Sequence, residues 1–92
     1  MKENIRGDRK LIAIVFTDIA GFTELTSKDE DAALELVEYQ RDTLKPIVDK
    51  YNGTWLKEMG DGLLLTFDAV INAVNCCIEI QRMSKEVEGL NL

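Results

Sequence analysis

Thr54-Trp55-Leu56-Lys57-Glu58-Met59-Gly60-Asp61-Gly62-Leu63-Leu64-Leu65-Thr66-Phe67 decides how the chain folds. Thr54 to Met59 reads as one strand and Leu63 to Phe67 as a second, with Gly60-Asp61-Gly62 as the tight turn between them. An Asp-Gly pair between two strand-like runs is a strong hairpin signal. A hairpin alone is marginal in water, so it needs a further strand and a covering layer. Upstream, Lys10 to Asp18 supplies that strand; it is apolar on both faces, which predicts a central, covered position.

Between these strands lies helical sequence. Gly21-Phe22-Thr23 turns the chain into a short helical segment around Glu24 to Ser27. Asp29 is the candidate N-cap of a long helix, with Ser27 as the alternative. The apolar positions Ala33, Leu34, Val37, Leu44, Ile47, Val48 and Tyr51 form one face of it, and Arg41 interrupts that stripe, so it must snorkel or pair. Pro46 removes a backbone donor at a cost of about 3 kcal/mol in a regular interior, which predicts a kink or break near Lys45. Asn52-Gly53 ends the helix, Gly53 being the expected left-handed residue. After the hairpin, Asp68 is the expected cap of a last helix. Its stripe reads Val70, Ala73, Val74, Cys77, Ile80 or Gln81, and Ser84.

The order β-α-α-β-β-α predicts an α+β fold of ferredoxin-like (palm-type) topology, an antiparallel sheet with helices on one face, short of its last strand. Residues 1–9 read as a frayed lead-in, 10–86 as the folded unit and 87–92 as a tail without pattern.

Composition narrows the function classes. Ninety-two residues make one small domain, on the small side for an enzyme. A formal charge of −6 argues against nucleic-acid binding, which needs clustered Lys and Arg. It leaves room for nucleotide triphosphates if metal cations screen the two negative partners. No apolar run reaches the roughly 20 residues of a membrane span, and the N-terminus carries no signal-peptide core. Cys76 and Cys77 are adjacent and there is no histidine, so buried free thiols in a reducing cytoplasm are the expectation.

The chemistry gathers at two aspartates. Asp18 ends the first strand, and the ferredoxin-like topology makes that strand an antiparallel neighbour of the third, so Asp18 lies beside Asp61. Two carboxylates in an apolar frame repel unless a cation sits between them. Mg²⁺ takes one or two carboxylates and completes its shell with water and phosphate oxygens. The amides of Gly21, Phe22 and Thr23 are positioned for phosphate. Taken singly, Asp18 reads first as a helix N-cap, Asp61 as a turn residue and Lys57 as a solvated strand lysine; the meeting of the two aspartates favours a metal site.

Residues 10–83 resemble the first half of a class III nucleotide cyclase catalytic domain of the bacterial type. Phe16-Thr17-Asp18-Ile19-Ala20-Gly21-Phe22-Thr23 matches the family's F-x-D-I-x-G-F-T, and Lys57-Glu58-Met59-Gly60-Asp61-Gly62 its K-x-x-G-D-G/A. The resemblance implies that Asp18 and Asp61 are the catalytic, metal-binding aspartates, with Ile19 adding a backbone carbonyl, for two Mg²⁺ or Mn²⁺ ions per site. It implies that Ala20, Gly21, Phe22 and Thr23 hold the triphosphate and that Lys57 selects the purine. Lysine there is similar to adenylate cyclases, because an ammonium donates to adenine N1 and cannot satisfy the donor edge of guanine, so ATP is expected over GTP. The implied reaction is attack of the ribose 3′-oxygen of ATP on the α-phosphorus, giving cyclic AMP and pyrophosphate.

Family sites form at a head-to-tail dimer interface, with the aspartates from one subunit and the lysine from its partner. Family domains are also longer: the second half holds a further purine-selecting residue and the Asn and Arg that bind ribose and stabilise the transition state. The expectation is therefore a fragment with little or no activity alone, associating as a homodimer or by swapping elements. A silent nucleotide-binding or dimerisation module on the same scaffold is the alternative. A diguanylate cyclase would carry a G-G-D-E-F hairpin, whereas this one reads Met59-Gly60-Asp61-Gly62-Leu63.

Overall fold

The structure, a computed structural model, describes residues 11–87, 90 and 92. The expected lead-in, 1–9, and Lys10 lie outside the described residues. The elements run β1 (Ala13–Thr17), α1 (Phe22–Lys28), α2 (Glu30–Lys50), β2 (Thr54–Met59), β3 (Gly62–Phe67) and α3 (Val70–Ser84). They make an α+β fold with a three-stranded antiparallel sheet in the order β1-β3-β2.

β3 is the strand around which everything packs. Its Leu63, Leu65 and Phe67 are buried and meet Leu44 and Val48 of α2 and Ala73, Cys76 and Ile80 of α3. Both long helices therefore cover one face of the sheet. β1 pairs with β3 as expected, but it is an edge strand and not the central one. Val15 packs toward the helices, while Ile14 and Phe16 face away and are exposed. The unbroken apolar run of β1 thus has one face covered and one open; its composition was a guide to apolarity on both sides, not to what lies over them.

The helix expectations divide. Asp29 caps α2, its side chain accepting from the Ala32 amide at 3.0 Å. α1 extends over Phe22–Lys28, a little beyond the segment expected. The break near Lys45 does not occur: α2 runs through Pro46 as one helix. Proline's fixed φ is already helical, Pro46 is exposed, and Leu44 and Val48 on either side are anchored in the core, so packing outweighs the lost donor. Leu34, assigned to the buried face, is exposed. The N-cap position of α3 is Ala69, which makes no side-chain capping bond, and not Asp68. It is also rotated relative to the expected stripe: Ala73, Cys76, Ile80 and Ser84 are buried, while Val70 and Val74 are exposed and Cys77 is half-buried. Both cysteines are free thiols, and burial pushes Cys76 up to about 11, which keeps it protonated. Leu90, in the stretch read as patternless, is buried, and the Leu92 carbonyl accepts from Gln81 Nε2 at 2.9 Å.

The α2 C-terminus corrects the role of Gly53. The left-handed residue is Asn52, with φ 59°. Asn52 N donates to Asp49 O and Gly53 N to Val48 O, the paired bonds of a Schellman motif. Gly53 is required for space: a Cβ there would lie 2.5 Å from Phe67 Cε2 and 2.8 Å from Val48 Cγ1. Gly53→Ala is therefore expected to destabilise the chain by about 1–3 kcal/mol through overpacking, read as a lowered urea midpoint; an unchanged midpoint would show that Phe67 yields freely.

Candidate functional site

The β1–β3 register places Thr17 opposite Leu63. The residues that follow Thr17 therefore lie beside those that precede Leu63, and Asp18 and Ile19 come up against the hairpin turn. That turn is Gly60-Asp61, with Met59 paired to Gly62 and Gly60 at φ 62°, so glycine occupies the first turn position and Asp61 the second. Gly62 is tight against β1, since a Cβ on it would lie 3.2 Å from Phe16 Cζ. A side chain there would require the Phe16 ring or the Met59 carbonyl to give by a few tenths of an ångström.

The two motifs are joined by one hydrogen bond: the Ile19 amide donates to Asp61 Oδ2 at 2.8 Å. Ile19 is 4% exposed, so its side chain anchors the turn while its backbone serves the carboxylate. Asp61 is half-buried, with one carboxylate oxygen committed to Ile19. Asp18 is exposed, and no hydrogen bond or ion pair engages its carboxylate among the described residues. Two carboxylates at one sheet end, one held and one free, suit a divalent cation that fills its remaining positions with water and phosphate oxygens. Among the described residues there is no cluster of three or more metal-ligating side chains.

The turn after Asp18 is shaped by Gly21, at φ 78°. The Phe22 amide donates to Ile19 O at 3.2 Å and the Leu25 amide to Gly21 O at 3.1 Å. Of the three amides expected to face phosphate, that of Phe22 is thus already engaged within the turn, and Ile19 O already accepts one bond. Ala20, Gly21 and Thr23 are exposed.

Lys57 stands apart from the aspartates. It lies on β2, at the far edge of the sheet from β1, in the cross-strand row Phe16–Leu64–Lys57 on the face without helices. A register shift between Trp55 and Lys57 adds one residue to β2 ahead of it. Lys57 is exposed and has no ion pair among the described residues.

Residues to which the sequence assigned no site role support this framework. Glu58 accepts from Arg41 Nε at 2.7 Å and Nη2 at 2.8 Å, and from Trp55 Nε1 at 3.0 Å, so Arg41 pairs as its place in the stripe demanded. Gln40 is buried and donates through Nε2 to the Asp61 carbonyl at 3.3 Å. Its Oε1 and Thr17 Oγ1 are buried without hydrogen-bond partners. The signal for Gln40 was available: it holds a core position between Val37 and Leu44 on the α2 stripe.

Comparison with known proteins adds the family. A "Putative adenylate cyclase 3" of Rhizobium meliloti (strain 1021) is 35% identical over 82 residues, which is 88% of this chain and 14% of that protein. This likeness supports reading the segment as a fragment of a class III cyclase catalytic domain. A serine/threonine-protein kinase, pkn2, of Myxococcus xanthus is 31% identical over 71 residues, 76% of this chain and 9% of that one. The chain thus spans a small fraction of the length of these relatives. No family model matches it. Its fold is that of a solved Trypanosoma brucei adenylate cyclase, at a TM-score of 0.74 and 21% identity, covering 84% of this chain and 34% of that one. Among the described residues no helix is long and apolar enough to cross a membrane.

The Arg41–Glu58 pair generates a pH dependence. Hydrogen bonds from Arg41 hold the Glu58 carboxyl below its ordinary value of 4.5, so the folded chain binds that proton less readily than the unfolded chain. The pair's contribution is present above that ordinary value and is lost as pH falls through the lower folded-state value. Glu58→Gln is expected to lower the urea midpoint at neutral pH and to match wild type more closely once the pH falls below the folded-state value of Glu58. A difference that persists unchanged in acid would assign the effect to packing rather than charge.

Proposed function

We propose that this segment is the metal- and triphosphate-binding part of an adenylate cyclase site that converts ATP to cyclic AMP and pyrophosphate. The observation that carries this reading is the 2.8 Å bond from the Ile19 amide to Asp61 Oδ2, which unites the two motifs at one end of the sheet. Asp18 and Asp61 hold Mg²⁺ or Mn²⁺, two ions per site, with the Ile19 carbonyl contributing. Bound there, the cations would offset the triphosphate's charge and favour both nucleophile and leaving group. Asp61 is kept in place by Ile19, so its free oxygen is directed without reorganisation. The turn from Ala20 to Thr23 seats the triphosphate; Gly21 sets its shape, and the Ala20 and Thr23 backbone lies open to solvent.

Lys57 selects adenine from a second subunit. Its placement supports that assignment: it rises on the open face of the sheet, two strands from the chain's own Asp18, in one row with the exposed ring of Phe16. A head-to-tail homodimer, formed directly or by swapped elements, would cover that apolar face and bring Lys57 to the partner's aspartates. These 92 residues hold no counterpart of the transition-state groups that the resemblance implies, so turnover by the segment alone is expected to be negligible. The free thiols of Cys76 and Cys77 accord with a cytoplasmic setting.

In a calorimetric titration the purified chain is expected to bind ATP only with Mn²⁺ or Mg²⁺, and more tightly than GTP. Asp18→Ala should weaken metal-dependent ATP binding at least about tenfold, and Lys57→Glu should reduce the preference for ATP. Metal-independent binding, or a preference for GTP in the wild type, would contradict the proposal. Appreciable cyclic AMP from the 92 residues alone would overturn the expectation of an inactive segment.

A further inference from the structure

Gln40 is 1% exposed on α2, a helix whose other buried residues are Ala33, Leu44 and Val48. Its amide makes one of the four hydrogen bonds open to it: Nε2 donates to the Asp61 carbonyl at 3.3 Å, and the buried Oε1 has no partner. An apolar side chain of the same shape would avoid that unmade bond, so stability alone does not account for glutamine at this position. The place of its single bond does. Asp61 sits in a two-residue turn beside Gly60, a residue free to move in backbone torsion. Its side chain is held by the Ile19 amide and its main chain by Gln40, so Asp61 is tethered from the turn after β1 and from α2 at once.

We propose that Gln40 is a positioning residue for the metal site, acting through the backbone of Asp61 rather than by touching the ion. The inference rests on the reading of Asp18 and Asp61 as cation ligands given under Proposed function. Groups that orient a metal ligand typically account for 10- to 100-fold in metal affinity. With Gln40 in place, the turn presents Asp61 toward Asp18 in one orientation; without it, the Ile19 bond alone restrains a turn that pivots about Gly60.

The test is an Mn²⁺ titration of the chain, read by paramagnetic broadening of backbone amide signals near Asp18 and Asp61, with urea stability measured in parallel. Gln40→Met keeps the side-chain length and removes the donor; Gln40→Leu is a second variant should the first not fold. Either folded variant is expected to bind Mn²⁺ about tenfold more weakly with stability equal to or above wild type. Gln40→His, whose Nε2 extends about as far as the amide nitrogen, is expected to recover most of the affinity. Wild-type affinity in Gln40→Met or Gln40→Leu, with Asp18→Ala losing the ion, would overturn the positioning role and leave the metal site standing. Absence of site-specific broadening in the wild type would instead remove the metal reading, and this inference with it.

Discussion

The Ile19 amide to Asp61 carboxylate bond is the constraint on which the organisation of this segment depends. It joins residues far apart in sequence, and it forms only if β1 and β3 pair in the register that sets Thr17 against Leu63. A slip of one residue would move Leu63, Leu65 and Phe67 off the core face as well as carry Asp61 away from Ile19. The same burial that stabilises the sheet therefore also fixes the site. The carboxylate is oriented by a backbone donor, which no side-chain substitution can remove without altering the turn itself.

The rest of the molecule can be understood as support for that register. Leu44 and Val48 of α2 and Ala73, Cys76 and Ile80 of α3 press on β3, the strand that carries the pairing information. Gly53 lets α2 approach Phe67 closely, and Gly62 lets Phe16 lie over the first residue of β3. Arg41 and Trp55 converge on Glu58, tying α2 to β2, and Lys45 Nζ lies 5.9 Å from the Trp55 ring centroid. These contacts lie on both sides of the hairpin turn, so the turn is framed by helix and sheet together.

What was legible in the sequence was local and patterned. The hairpin, the Asp29 cap and the meeting of the first and third strands followed from turn chemistry, capping and topology. What was not legible depended on tertiary packing. The apolar run of β1 could not reveal that one face stays open, because Ile14 and Val15 are both apolar and only the neighbours distinguish them. Pro46 sits in an unbroken helix because its flanking residues are anchored, which propensity does not register. The small rotation of α3 that buries Cys76 in place of Cys77 lies within the tolerance of a helical stripe. At the site, the aspartates were visible as motif residues, whereas Gln40 was visible only as a polar residue in an apolar row.

The open face of the sheet is the feature that the segment's own packing leaves unexplained. Ile14, Phe16, Leu56 and Met59 are exposed, and the strands that bear them meet the helices only through their other face. Exposed apolar side chains scattered over a surface need no account, but a group of them on one sheet is a usual mark of an interaction surface. The fact that Lys57 rises from this face, in line with Phe16, gives the face a chemical direction. A partner that covers the apolar row also receives an ammonium group with no competing ion pair among the described residues. In the proposed homodimer the same surface would serve association and selectivity at once, and the separation of Lys57 from Asp18 across the sheet accords with a site shared between two subunits.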